Sequence, residues 1–126
     1  SGDMPHNHPF RAVVYSGTHD NETTEQWWGS RNPAEKARFR AYAGEGAVHE
    51  AMNRIVLASP AALAVLPMQD LLGLGAAARM NLPGTAAGNW RWRMEAKALD
   101  GVAGRRLADR FRAMNDAAGR VVARGT

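Results

Sequence analysis

The segment Gly17-Thr18-His19-Asp20-Asn21 carries the side chains best suited to chemistry. It follows a short apolar run that predicts a buried strand over Arg11–Ser16. In parallel α/β sheets and barrels, functional side chains lie at the carboxyl ends of the strands. There, Asp20 and His19 could bind adjacent hydroxyls of a polyol, act as acid or base, or bind a metal ion. An equally open alternative is that Asp20 or Asn21 only caps the helix that follows.

A second group of polar residues follows the second predicted strand, Ala62–Leu66. Gln69 and Asp70 come directly after this strand, so they too lie at the carboxyl end of a strand. Asn81 lies farther along, in a loop framed by glycine and proline that could close over a ligand. These positions predict a second contribution to the same site.

Tryptophan and arginine alternate in Trp90-Arg91-Trp92-Arg93. Such a pattern suits base stacking, and tryptophan faces also stack on the apolar faces of sugars. We favour packing in a core or an interface for both tryptophans. The net charge is +4, but 14 of the 16 basic residues are arginines scattered along the chain, with no run longer than Arg105-Arg106. We therefore expect no nucleic acid as a partner.

The triplet His6-Asn7-His8 has the H-x-H spacing of a metal pair. The chain has four histidines, no cysteine and no helical H-x-x-x-H, so a complete ligand set is hard to assemble. Solvated loop histidines are the better interpretation, and we expect no bound metal.

Composition places the chain among ordinary globular proteins. It has 126 residues, 45% hydrophobic and 22% charged, which suits a single segment rather than two domains. No apolar stretch approaches the ~18 residues of a membrane span, and no signal peptide is evident. We expect a cytoplasmic protein with no membrane partner.

Helices account for most of the remaining chain. Asn32-Pro33-Ala34-Glu35 combines an Asn cap, a first-turn proline and a capping-box glutamate, and predicts a helix that ends before Gly44. The other predicted helices are Glu22–Trp28 capped by Asn21, Ala47–Ala58, a short one within Gln69–Leu74, and Val102–Ala123. Two strand-then-helix units resemble a slice of a parallel barrel or of an open α/β sheet rather than a whole one, since a complete barrel needs about 250 residues.

Four ordered motifs make the chain resemble a known family. They are Val-Val-Tyr-Ser-Gly-Thr-His-Asp-Asn-Glu-Thr-Thr (13–24), Pro-Met-Gln-Asp-Leu-Leu-Gly-Leu-Gly (67–75), Ala-Arg-Met-Asn-Leu-Pro-Gly-Thr (78–85) and Gly-Asn-Trp-Arg-Trp-Arg (88–93). Together they resemble the C-terminal part of the 4-α-glucanotransferases, or amylomaltases. The resemblance implies an α/β fold, mostly helical by residue count: the last portion of a (β/α)₈ TIM barrel. Strands seven and eight would be Arg11–Ser16 and Ala62–Leu66, and residues 1–126 would form one segment of the catalytic barrel.

The resemblance also implies a reaction and roles for individual residues. These enzymes transfer α-1,4-glucan segments with retention, through a covalent glycosyl-enzyme formed by an Asp nucleophile and a Glu acid/base. Neither of those two motifs occurs in this chain. Asp20 matches the third carboxylate, which stabilises the transition state, and the matching substrate-binding residues are His19, Asn81, Asn7 and Gln69. The implied partners are a maltooligosaccharide and the remainder of the barrel, with no cofactor.

A different class of function stays open beside this one. A fragment without most of its barrel would expose apolar strand edges, which favour strand pairing between molecules. The chain could therefore be an inert domain that associates with itself or with a partner.

Overall fold

Two short strands form the only sheet within the described part of the chain. The computed structural model describes residues 2–120. Strands β1 (Val13–Tyr15) and β2 (Leu63–Val65) pair in parallel, with Val14 opposite Ala64. Both predicted strands are confirmed in position, but each pairs over three residues only. Parallel neighbours that far apart in sequence need a long crossover, which the intervening helices supply.

Helices outweigh strands. They are α1 (Thr24–Gly29), α2 (Pro33–Ala43), α3 (Val48–Leu57), α4 (Met68–Leu71) and α5 (Gly101–Ala117), with short 3₁₀ helices at Pro5–Asn7, Ala76–Ala78 and Ala96–Leu99. Within residues 2–120, no helix is long and apolar enough to cross a membrane.

The N-termini of α1 and α2 are capped in different ways from each other. The predicted capping box of α2 is confirmed, because the Asn32 side chain accepts from the Glu35 N–H while the Glu35 carboxylate accepts from the Asn32 N–H. The prediction that Asn21 caps α1 is wrong. Thr23 is the cap, with its hydroxyl oxygen accepting from Gln26 N at 3.2 Å, so α1 begins at Thr24.

Among the described residues, the sheet is covered on one face only. Val14 packs with Val56 of α3 and with Ala61, and these three residues form a small buried core. Side chains on the other face are about half exposed: Val13 52%, Tyr15 52%, Leu63 56% and Val65 48%. Because side chains alternate along a strand, these four residues share one apolar face, which we call the open sheet face.

Two predicted helices differ in extent from the observed ones. The helix predicted within Gln69–Leu74 is α4, which ends at Leu71 because Gly73 adopts a φ of 67°. The terminal helix ends at Ala117 rather than Ala123, since Gly119 has a φ of 73°. The last positions of that prediction, 121–123, lie outside the described residues.

Arg120 ties the end of the described chain to the sheet. Its Nε donates to the Leu57 carbonyl at 2.7 Å, and its Nη2 donates to the carbonyls of Ser59 and Ala61 at 2.7 and 2.6 Å. These carbonyls lie where α3 ends and the chain turns into β2. One guanidinium therefore fixes α5 against the connection that delivers β2 to β1.

Candidate functional site

Asp20 lies in the loop between β1 and α1, at the carboxyl end of the strand as predicted. Its Oδ1 accepts a hydrogen bond from Asn81 Nδ2 at 2.7 Å and lies 3.4 Å from His19 Nε2. Its other oxygen, Oδ2, accepts no hydrogen bond from residues 2–120. The side chain is about half exposed, so a ligand in solvent can reach the carboxylate.

The loop that carries Asp20 is a tight turn closed by its own side chains. Asn21 Oδ1 accepts from Thr18 N at 2.7 Å and from Thr18 Oγ1 at 3.0 Å. Asn21 N in turn donates to the Thr18 carbonyl at 3.1 Å. Asn21 is therefore a turn residue, and neither it nor Asp20 caps α1.

A second loop is bonded to this turn through Arg79 and Asn81. Asn81 N donates to the His19 carbonyl at 3.1 Å, while Arg79 Nη2 donates to the Asp20 carbonyl at 2.7 Å. Arg79 Nε also donates to the Asn81 carbonyl, at 2.9 Å. The structure thus brings three predicted site residues, His19, Asp20 and Asn81, into one cluster. Sequence reasoning assigned no role to Arg79, because no residue pattern states which carbonyl an arginine will bind.

Trp90 lies against this cluster, with its ring tilted by 39° to that of His19, instead of packing in a core. Its ring centroid lies 4.9 Å from that of His19, and 49% of the residue is exposed. The backbone φ of Trp90 is 61°, which is unusual for a residue other than glycine. Its backbone N–H donates to the Met80 carbonyl at 2.7 Å. The prediction that Trp90 packs in a core is wrong, whereas its packing in an interface stays a prediction.

Gln69 lies in the wall of a cleft beside the same cluster. The cleft has a volume of about 180 Å³, and His19 and Arg79 also line it. Gln69 Nε2 donates to the Ala78 carbonyl at 3.2 Å, which orients the amide toward the second loop. The structure therefore places Gln69 near the predicted partners.

Asp70 is a buried polar residue in the wall of the same cleft. Its Oδ2 accepts from Ser16 Oγ at 2.7 Å and its Oδ1 accepts from Thr24 N at 2.8 Å. Asn53, on α3, donates from Nδ2 to the Asp70 carbonyl at 3.2 Å. A single carboxylate thus joins β1, α1 and α4, a connection that sequence reasoning did not find.

The histidine triplet lies on another part of the molecule. Asn7 is exposed in the first 3₁₀ helix, while its neighbours His6 and His8 hydrogen-bond Tyr42 (2.7 Å) and Ser59 (3.1 Å). Asn7 is not among the residues that line the clefts around Asp20. Within residues 2–120, no group of three or more His, Asp or Glu side chains is arranged to hold a metal ion.

The fold and the cluster together are typical of α/β enzymes that bind a polar ligand at the carboxyl ends of parallel strands. A family model described as 4-alpha-glucanotransferase matches residues 1–99. The chain belongs to this family.

Individual relatives agree with the family match. A 4-alpha-glucanotransferase from Synechocystis sp. is 52% identical over 65% of this chain and 17% of its own length, and one from Thermus thermophilus is 43% identical over 94% of this chain and 25% of its own. In structure, the chain is similar to an amylomaltase from Streptococcus agalactiae in complex with acarbose. The TM-score is 0.87 and the identity 31%, over 95% of this chain and 24% of that one. The chain thus spans a quarter or less of the length of these relatives.

Proposed function

We propose that residues 1–126 are one segment, the C-terminal part of a 4-α-glucanotransferase barrel, and that this segment supplies Asp20 as the transition-state-stabilising carboxylate. The nucleophile and the acid/base come from the remainder of the barrel, with β1 and β2 as strands seven and eight. The observation that carries this proposal is the state of Asp20. Its Oδ1 is held by Asn81, while Oδ2 accepts no hydrogen bond from the described residues.

The proposed reaction explains why such a carboxylate is useful. Retaining transfer between α-1,4-glucans passes through transition states in which the sugar ring resembles an oxocarbenium ion. An ionised Asp20 can accept hydrogen bonds from two adjacent hydroxyls of that sugar, with His19 beside it as a further partner. Bonds that tighten as the ring flattens lower the barrel enzyme's activation barrier, because they stabilise the transition state more than the bound substrate.

The remaining predicted contacts divide into two groups. Asn81 binds Asp20 directly, and Gln69 lines a cleft together with His19, so we expect both to contact the same maltooligosaccharide. Asn7 lies in a separate segment, and its contact with sugar stays a prediction, as does a cytoplasmic location for the enzyme.

An enzyme restored to full length tests the role of Asp20. In this restored enzyme, the chain replaces the segment that it matches in the Thermus thermophilus relative. Asp20→Asn keeps the shape and the acceptor for Asn81 but removes the charge. Hydrogen bonds to a charged group contribute about 1.5–3 kcal/mol, so we expect kcat for maltotriose disproportionation to fall roughly 10- to 100-fold or more. The melting temperature should change little, because Thr23 rather than Asp20 caps α1.

Asp116→Asn is the matched control, since Asp116 is exposed near the end of α5. It should leave both kcat and the melting temperature unchanged. An inactive restored enzyme, or an Asp20→Asn variant with full kcat, would contradict the proposed function.

The open sheet face favours a second candidate, a catalytically inert domain that associates with itself. A half-exposed apolar surface lies on the sheet, which has two strands in the part of the chain that the structure describes, and it is formed by Val13, Tyr15, Leu63 and Val65. Such a surface is suited to a second copy as well as to the missing barrel strands. The size and activity of the isolated chain in solution separate the two candidates.

A further inference from the structure

Asp70 binds both ends of the loop that carries His19 and Asp20. Ser16, which donates to Oδ2 at 2.7 Å, precedes the loop at the end of β1. Thr24, whose N–H donates to Oδ1 at 2.8 Å, begins α1 directly after the loop. The two carboxylate oxygens of Asp70 therefore hold the two ends of this loop.

We propose that Asp70 is a positioning residue, which holds the Asp20 carboxylate where the sugar's hydroxyls can reach it. This inference rests on the proposed function, since it assigns Asp70 an effect that passes through Asp20. Asp70 lines the cleft together with Gln69, but it is 4% exposed and both its oxygens accept hydrogen bonds from Ser16 and Thr24. Its carboxylate is therefore engaged by the loop ends, which favours a positioning role over direct contact with the substrate.

The residues around Asp70 hold it rigidly in place. Asn53 is 1% exposed on α3 and donates to the Asp70 carbonyl, which holds the backbone of α4 in place. A buried carboxylate must keep its hydrogen-bond donors, because losing them leaves an unsolvated charge. Movement of either loop end is therefore opposed by the cost of exposing or unpairing Asp70.

Through the loop, the hydrogen bonds of Asp70 also fix the position of Asp20. Within it, Thr18 and Asn21 close a turn through three hydrogen bonds, so the segment behaves as one body between its two fixed ends. Catalysis by orientation is sensitive to displacements of about 1 Å, which can cost roughly 100-fold in rate. Release of one end should therefore lower kcat even though Asp20 itself is unchanged.

Three substitutions in the restored enzyme test how much the hydrogen bonds of Asp70 contribute to kcat. Asp70→Ala removes both acceptors. Ser16→Ala removes one of the two bonds. Asp70→Asn can keep both, because its amide oxygen can accept from Thr24 N while its NH₂ group donates to a Ser16 hydroxyl that reverses its role. We expect kcat to fall about 10-fold or more for Asp70→Ala and about 3- to 10-fold for Ser16→Ala, with Asp70→Asn within about 3-fold of the unaltered enzyme.

The same substitutions in an Asp20→Asn background separate positioning from general stability. If Asp70 acts through Asp20, then Asp70→Ala and Ser16→Ala should each cost less than about 3-fold in kcat once the Asp20 charge is absent. Ser30→Ala is the control, because its hydroxyl donates to the Trp27 carbonyl at the end of α1, away from the loop. It should leave kcat unchanged in both backgrounds.

Two results would overturn the inference while leaving the proposed function intact. One is a loss of kcat from Asp70→Ala and Ser16→Ala that is equally large in both backgrounds, and the other is full kcat for both variants. If Asp70→Ala does not fold, the double-mutant cycle of Ser16→Ala and Asp20→Asn is sufficient to test the inference. Full kcat for Asp20→Asn by itself would instead contradict the proposed function and remove the basis of this inference.

Discussion

Gly73, shortly after α4, is a backbone position that requires glycine. It follows α4 with a φ of 67°, and a Cβ added there would lie 2.6 Å from Cε1 of the His49 ring. That ring is itself fixed, because His49 Nδ1 donates to Glu25 Oε1 at 2.7 Å. Glycine is required here for two independent reasons, the left-handed backbone and the close approach of α3's imidazole.

Substitution of Gly73 by alanine should destabilise the protein. The left-handed conformation costs an ordinary residue about 1–2 kcal/mol, and the displaced His49 ring adds to this. We expect the free energy of unfolding to fall by about 2 kcal/mol or more, measured by denaturant unfolding of the restored enzyme. Gly75→Ala is the control, since Gly75 has a φ of −89° and no atom within 4 Å of the added Cβ. Equal stability of the two variants would refute the argument.

The residue types of the site were predictable, whereas several of their contacts were not. Asp20, His19 and Asn81 were identified by position after a strand or within a Gly/Pro-framed loop, and the structure brings them together. Asp70 was identified by its position after a strand but its contacts were not, and Arg79 was assigned no role, because both bind groups in segments distant in sequence. Backbone groups are alike at every position, so the sequence does not show which of them a side chain will reach.

At the scale of elements, features that depend on neighbouring residues were predicted well from the sequence, whereas features that depend on tertiary contacts were predicted poorly. The capping box of α2 satisfies its donors within four consecutive residues, so it could be read from the sequence. The cap of α1 was misassigned because Asn21 and Thr23 are both good cap residues, and only the turn with Thr18 decides between them. Strand lengths were overestimated, since pairing depends on a partner strand that the local sequence does not specify.

Arg120 should contribute measurably to the docking of α5. Its guanidinium donates to three carbonyls at 2.6–2.7 Å, next to the C-terminus of α3, where a positive charge is favourable. Arg120→Ala leaves those carbonyls without this donor, and we expect a loss of about 2 kcal/mol in the free energy of unfolding. Thermal and denaturant unfolding measure this loss.

Arg112→Ala is the matched control for Arg120. Its guanidinium pairs with Asp109 at 3.0 Å on an exposed face of α5, where an ion pair contributes little. A comparable loss of stability from both substitutions would show that Arg120 acts only as a surface charge.

At the scale of the whole molecule, the open sheet face is the dominant feature. One side of the sheet is packed against α3, while the other presents valine, leucine and tyrosine to solvent. In parallel sheets both faces are normally covered. In the proposed barrel, the remaining strands would cover the open sheet face.

The isolated chain is therefore expected to be inactive. Maltotriose incubated with the purified 126-residue chain should yield no glucose or longer maltodextrins, because retaining transfer needs a nucleophile and an acid/base that the proposal places elsewhere. Sedimentation of the same sample then separates the two candidate functions. A stable homo-oligomer that the remaining barrel segment does not dissociate would favour the inert domain, whereas enzyme-like transfer by the chain alone would refute the proposed division of roles.

The bonds made by Asp70 also bear on the order in which the chain folds. Ser16 and Asp70 are 54 positions apart, and Thr24 and Asp70 are 46 apart. Helices α2 and α3 lie between them and can form early from local contacts, whereas closing so long a loop carries a large entropic cost and comes late. The Asp20 loop therefore acquires its final geometry only when β2 joins β1. A chain caught before that step would hold local structure such as the Thr18–Asn21 turn, but it would lack the bond between Asp20 and Asn81 and both bonds of Asp70.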